Sequence, residues 1–156
     1  IKQFKVLPHR FEFVGDINGV RYINDSKATN VGATVAALKG LSSSVAGDII
    51  LIAGGQTKGA DFSALMAALK PLQCKLILLG EGANTLASLA ADQHEVLRVD
   101  SLEQAVSVAE SNSQNGDMVL LSPACASFDM FSGFEQRGDI FRAAVAALNV
   151  NQQEAQ

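Results

Sequence analysis

Three short segments of this chain gather the residue types that handle small anionic metabolites: Asp25-Ser-Lys-Ala-Thr-Asn30, Gly54-Gly-Gln-Thr-Lys-Gly-Ala-Asp61 and Ser122-Pro-Ala-Cys-Ala-Ser-Phe-Asp129. Lys27 and Lys58 offer full positive charges, Thr29 and Ser127 hydroxyl donors, and Asp25 an acceptor suited to a ribose hydroxyl or an ammonium. Each segment directly follows an apolar run that reads as a strand. In a parallel sheet all three emerge at one edge, where open α/β folds bind ligands.

The first segment ends where a helix begins, so free backbone N–H groups and the helix dipole favour an anion there. The same residues also read as a plain N-cap, with Ser26, Thr29 or Asn30 closing the helix and Lys27 facing water. In the second, two glycines would let backbone N–H groups approach a ligand, but the sequence is no Walker A loop, because Lys58 precedes Gly59 rather than a Ser or Thr. If a nucleotide triphosphate is used, it must be held largely by something outside this sequence. Phe128, Phe131 and Phe134 wall the third segment and suit a short polar ligand with an apolar stem, with at least one of them expected to be plain core. Gly80-Glu-Gly-Ala-Asn-Thr85 half-matches a dinucleotide fingerprint and reads as a tight strand-to-helix turn.

Stepping outward, Phe11 to Val14 and Val20 to Asn24 flank an Asn18-Gly19 pair, a hairpin signal. Val31, Val35, Leu38 and Leu41 carry helical spacing, and Ile49 to Ala53 is a continuous apolar run expected of a strand covered on both faces. A helix starting near Asp61 and ending before Pro71, a strand over Lys75 to Leu79, and a helix over Ala83 to Leu89 follow. Then come a strand over Val96 to Val99, a helix from Ser101 with Gln104 completing a capping box, a strand over Met118 to Leu121, and a helix over Phe134 to Leu148. Residues 151–156 are expected to fray. This alternation predicts a Rossmann-like α/β domain over residues 9–150: a mostly parallel sheet of about six strands, helices on both faces, and an antiparallel opening hairpin.

At 156 residues with 48% hydrophobic and 18% charged side chains, the chain has the composition of one globular domain. A net charge of −4 argues against nucleic acid or an anionic membrane surface as partner, and no apolar stretch is long enough to span a bilayer. No basic-then-apolar leader is seen, and two distant cysteines, Cys74 and Cys125, fit a reducing cytoplasm. Neither has a metal-ligand neighbour. Cys74 reads as a buried apolar residue, and Cys125 lacks a matching His for nucleophilic work.

Taken in order with His9-Arg-Phe-Glu12 and Phe134-Glu-Gln-Arg-Gly138, these segments resemble the C-terminal domain of the Mur ligases, above all their D-glutamate-adding members. The resemblance implies an ATP-dependent amide ligase of bacterial peptidoglycan synthesis, working in the cytoplasm. In that family ATP phosphorylates the carboxylate of UDP-MurNAc-L-alanine and the D-glutamate amine attacks the acyl phosphate. An N-terminal domain holds the UDP-sugar, and a central one holds the ATP phosphates and Mg2+. By position, Thr29, Lys58, Ser127 and Phe134 resemble the D-glutamate site, Arg10 and Asp25 the residues meeting the nucleotide, and Lys27 the lysine beside the transferring phosphate. No residue resembles a metal ligand or general base. Residues 1–8 would be the hinge to the central domain, and the isolated chain is expected to have no turnover. Other readings are a different Mur ligase, a folylpolyglutamate synthetase, or a stand-alone nucleotide- or amino-acid-binding module.

Overall fold

The computed structural model describes residues 7–155, with side chains through residue 149. The hinge expected at 1–8 therefore lies outside the described residues except for Leu7 and Pro8, both exposed.

Strand β1 (Glu12–Ile17) turns into β2 (Val20–Asn24) through Asn18 (φ 55°) and Gly19 (φ 80°). Two positive φ angles in a two-residue connection make the turn whose twist matches a hairpin, and Asn-Gly tolerates it best. The strand runs three residues past the predicted end at Val14, because a bulge between Phe13 and Gly15 absorbs the register and Asp16 Oδ1 accepts from Gly19 N at 3.0 Å. Beyond the hairpin come α1 (Val31–Leu41), β3 (Ile49–Gly54), α2 (Ser63–Leu69), β4 (Cys74–Leu79), α3 (Ala83–Ala90), β5 (Glu95–Arg98), α4 (Leu102–Ser111), β6 (Met118–Leu121) and α5 (Phe134–Ala155). The sheet order is β1-β2-β6-β3-β4-β5, and every pairing except β1 with β2 is parallel.

Alternation along the central strands divides the core. Leu51, Ala53, Leu76, Leu78 and Leu120 pack with Leu38, Leu65, Leu69 and Leu86 of α1 to α3. Ile50, Ile52, Ile77 and Val119 point the other way, onto Leu102 and Val106 of α4 and Phe141 and Val145 of α5. The apolar run of β3 thus means what it means in parallel sheets, burial on both faces. Truncating a side chain such as Phe141, fully buried, costs about 3–5 kcal/mol in such a core.

Helix starts follow local chemistry. Asn30 Oδ1 accepts from Ala33 N at 2.9 Å and opens α1. Ser101 Oγ accepts from Gln104 N at 3.0 Å, but Gln104 Oε1 reaches back to Asp100 N rather than to Ser101, so the capping box closes one residue early. Asp61 does not cap α2 as its position suggests. The helix begins two residues later, and Asp61 Oδ1 accepts from both Ser63 N (2.9 Å) and Ser63 Oγ (2.6 Å). Helix α5 continues past Leu148 to Ala155, because Gln, Glu and Ala sustain a helix even where no apolar stripe is left to mark it.

Candidate functional site

Strands β2, β6 and β3 are neighbours, so the three polar loops leave the sheet side by side, with the last in sequence in the middle. Backbone bonds lock them together: Asp25 N donates to Leu121 O (2.7 Å), Ala124 N to Ala28 O (3.0 Å), Gly54 N to Pro123 O (3.0 Å) and Gln56 N to Ala126 O (3.0 Å). The glycines of the second loop serve this packing rather than a phosphate. A Cβ on Gly54 would lie 1.9 Å from Leu79 O and one on Gly55 2.3 Å from Ala126 O. The Gly80 to Gly82 turn is equally close-packed, Gly82 N donating to Gly55 O at 2.7 Å as α3 begins.

Thr29, Lys58, Ser127 and Phe134 line one hollow of about 420 Å³ together with Phe128 and Glu135. A second hollow of about 440 Å³ shares Thr29 and Lys58 and continues along Asn30, Gln56 and Asp61. Lys58 reaches the pocket from the tip of a turn closed by Ala60 N to Thr57 O (2.9 Å), with Lys58 at φ 48° and Gly59 at φ 70°. A non-glycine residue in the left-handed region is uncommon, and Lys58 adopts it at an exposed turn tip. Ser127 is 2% exposed and Phe134 begins α5, its ring edge-to-face with His9 at 5.9 Å. Of the three phenylalanines, Phe131 packs against the core, whereas Phe128 stands in solvent.

Lys27 and Arg10 are exposed and adjacent through the bond from Lys27 N to His9 O (3.0 Å). Asp25 is 3% exposed, and its oxygens accept from Phe11 N (3.3 Å) and Ser122 Oγ (2.8 Å), so its carboxylate ties the residue before β1 and the residue after β6 to the first loop. Burial pushes its carboxyl up to about 6 against the pull of those hydrogen bonds and of Arg10. Thr34 on α1 completes the cluster, donating to Ser122 O at 3.2 Å.

The residue whose role sequence reasoning missed is Arg137. Its guanidinium, 3% exposed, donates from Nε to Ser26 Oγ (3.0 Å), from Nη1 to Cys125 O (3.1 Å) and from Nη2 to Ser26 O (2.8 Å), while Ser26 Oγ donates to Phe134 O (2.7 Å). First loop, third loop and α5 are thereby one rigid unit. Desolvation lowers its pKa to about 10, which leaves it charged at neutral pH. The signal was present in the sequence: Arg137, Phe141 and Val145 stand four apart, which puts the arginine on the buried stripe of the helix.

Both cysteines lie inside the domain. Cys125 is 2% exposed and burial pushes its thiol up to about 11, and Cys74 is also buried, as its position suggests. Among the described residues no group of three or more His, Cys, Asp or Glu is gathered around a common point, and the salt bridges are His9–Asp139, Arg142–Glu12 and Arg142–Asp139. Neither Lys27 nor Lys58 takes part in these, so both cations stay available to an anionic ligand.

Residues 9–125 match the model of the Mur ligase, glutamate ligase domain. The chain is 53% identical over 151 residues to the UDP-N-acetylmuramoylalanine–D-glutamate ligase of Idiomarina loihiensis, covering 97% of this chain and 32% of that protein. It is 48% identical over 148 residues to the ligase of the same name from Legionella pneumophila strain Lens, covering 95% and 33%. The chain thus spans about a third of the length of the curated relatives it matches. Among solved structures, Escherichia coli FolC with ADP superposes with a TM-score of 0.63 at 20% identity over 97% of this chain and 33% of that one, a likeness of fold. Thermotoga maritima MurF ligase with ADP superposes at 0.58 and 17% identity over 92% and 33%. The family match takes in the first two polar loops whole and enters the third, and the chain belongs to the Mur ligases, as their glutamate ligase domain.

Proposed function

We propose that this domain brings D-glutamate to the reaction centre of an ATP-dependent ligase that acts on UDP-MurNAc-L-alanine in the bacterial cytoplasm. The observation that carries the reading is the convergence of Thr29, Lys58, Ser127 and Phe134, from three loops and a helix start far apart in sequence, on one hollow. The chemistry fits a dicarboxylic amino acid: Lys58 pairs with a carboxylate, Thr29 and Ser127 donate hydroxyl hydrogen bonds, and Phe134 walls the methylene stem. The name borne by the relatives, UDP-N-acetylmuramoylalanine–D-glutamate ligase, supports the same substrate.

ATP, with Mg2+, supplies the phosphoryl group that activates the acceptor carboxylate, and both are held mainly by the remaining two-thirds of the protein. From this domain Arg10 and Lys27 face the nucleotide. Lys27, exposed beside the first loop, adds positive charge where the phosphoryl group transfers. Asp25 contributes from the interior by fixing that loop between Phe11 and Ser122. Domain closure then brings amine and acyl phosphate to attack distance, with residues 1–8 as the hinge.

In the full-length protein, Lys58→Ala should raise the KM for D-glutamate by at least about ten-fold and that for ATP by much less. Equal increases for both substrates would sink the assignment of the pocket. The isolated chain should show no ligation with ATP and acceptor, and turnover by it alone would refute the need for closure.

A further inference from the structure

Phe128 lines the hollow, but the proposed function gives it no task. It is 65% exposed, an aromatic ring left in water directly after the buried Ser127, and the Lys58 ammonium lies 6.0 Å from its ring centroid. Lys58 itself stands at the tip of a tight turn and joins no salt bridge among the described residues. A lysine so placed has a long flexible stem and nothing else to fix its head group.

We infer that Phe128 is a positioning residue whose π face holds the Lys58 ammonium over the hollow, ready for the ligand carboxylate. This rests on the reading of that hollow as the D-glutamate site. A carboxylate beside Lys58 would hold it more firmly, but would neutralise it and occupy its N–H donors. A ring face attracts the cation through its quadrupole, within the ~6 Å range where that attraction operates, and accepts no conventional hydrogen bond. All three ammonium donors remain free for substrate, and part of the side-chain entropy is lost before binding rather than during it. Phe134 is not equivalent, since its ring is engaged edge-to-face with His9.

The test is steady-state kinetics on the full-length enzyme. Phe128→Leu keeps apolar bulk but removes the quadrupole, and should raise the KM for D-glutamate about three- to five-fold, with kcat and the KM for ATP moving less than about two-fold. Phe128→Tyr retains the π face and should restore the wild-type KM. In a Lys58→Met background the Phe128→Leu change should add less than about 1.5-fold, because the cation it positions is gone. An unchanged KM in Phe128→Leu, equal impairment by Phe128→Tyr, or an undiminished effect in the Lys58→Met background would each overturn the inference while leaving the pocket assignment intact. If Lys58→Met itself left the KM for D-glutamate unchanged, the pocket assignment would fall, and this inference with it.

Discussion

At the rim where the strands begin, Asp117 is 3% exposed and accepts two backbone N–H groups, from Asp48 at 2.8 Å and Gln114 at 2.9 Å. At the opposite rim Asp25, equally buried, accepts one backbone N–H at 3.3 Å and one hydroxyl at 2.8 Å, and burial pushes its carboxyl up to about 6. The first aspartate joins a local turn, with Gln114 three residues away, to the start of β3, where Asp48 lies 69 residues away and Gly47 N to Gly116 O (2.9 Å) runs alongside. The second joins segments 14 and 97 residues distant in sequence. One rim is finished by backbone groups closing on a single carboxylate and serves stability. The other is held from beneath by a buried polar network, Asp25, Ser26, Ser122 and Arg137, while Arg10, Lys27 and Lys58 stay on its surface. Rigid support under free charge is the arrangement a ligand site needs, and it costs burial of groups that prefer water.

That contrast can be broken by substitution. Lys27 is exposed, and on the proposed reading, which sets it beside the transferring phosphate, Lys27→Ala in the full-length protein should lower kcat by about 10²-fold or more while leaving the melting temperature unchanged. A comparable loss of stability with kcat intact would reverse the assignment of the two rims. Asp117→Ala should do the opposite, costing about 2–4 kcal/mol by orphaning two backbone donors, measured by denaturant unfolding, with both KM values unchanged.

The smallest effect concerns pH. Because the folded state raises the Asp25 carboxyl to about 6 from an ordinary value of 3.8, the folded protein holds that proton more tightly than the unfolded one. Its favourable contribution is therefore full below about pH 4 and is lost as pH rises through about 6. Relative to Asp25→Asn, the wild type should lose about 1–2 kcal/mol between pH 4 and pH 7 and then level off. Unfolding curves for both proteins across that range would show it, and a difference independent of pH would mean the carboxylate is better solvated than its burial indicates.

Much of the fold is legible along the chain because its signals are local. Val20–Asn24 and Met118–Leu121 have the predicted bounds, since uninterrupted apolar runs between polar loops leave little choice. Asn18-Gly19 sets the hairpin and Asn30 and Ser101 the helix starts, each through bonds spanning three residues or fewer. What misleads is the point where a local rule meets a distant partner. Nothing beside Asp25 in sequence tells that Ser122, 97 residues on, donates to its carboxylate. Gly54 and Gly55 have the look of a phosphate cradle, but the backbones of Leu79 and Ala126 fill the space their missing side chains leave. Helix α5 outruns its apolar stripe because helix propensity persists where amphipathic spacing stops.

The sequence by itself determined that strands and helices alternate, that a hairpin opens the sheet, and that Thr29, Lys58, Ser127 and Phe134 sit at strand ends or a helix start, because hydrophobic period and turn chemistry act over a few residues. Only the tertiary structure decided that β6 lies between β2 and β3, that Asp25 turns inward, and that Arg137 binds the first and third loops into one unit. Those outcomes depend on hydrogen bonds between segments as much as 111 residues apart, where the partner of a buried polar group is set by strand order and not by neighbours in sequence.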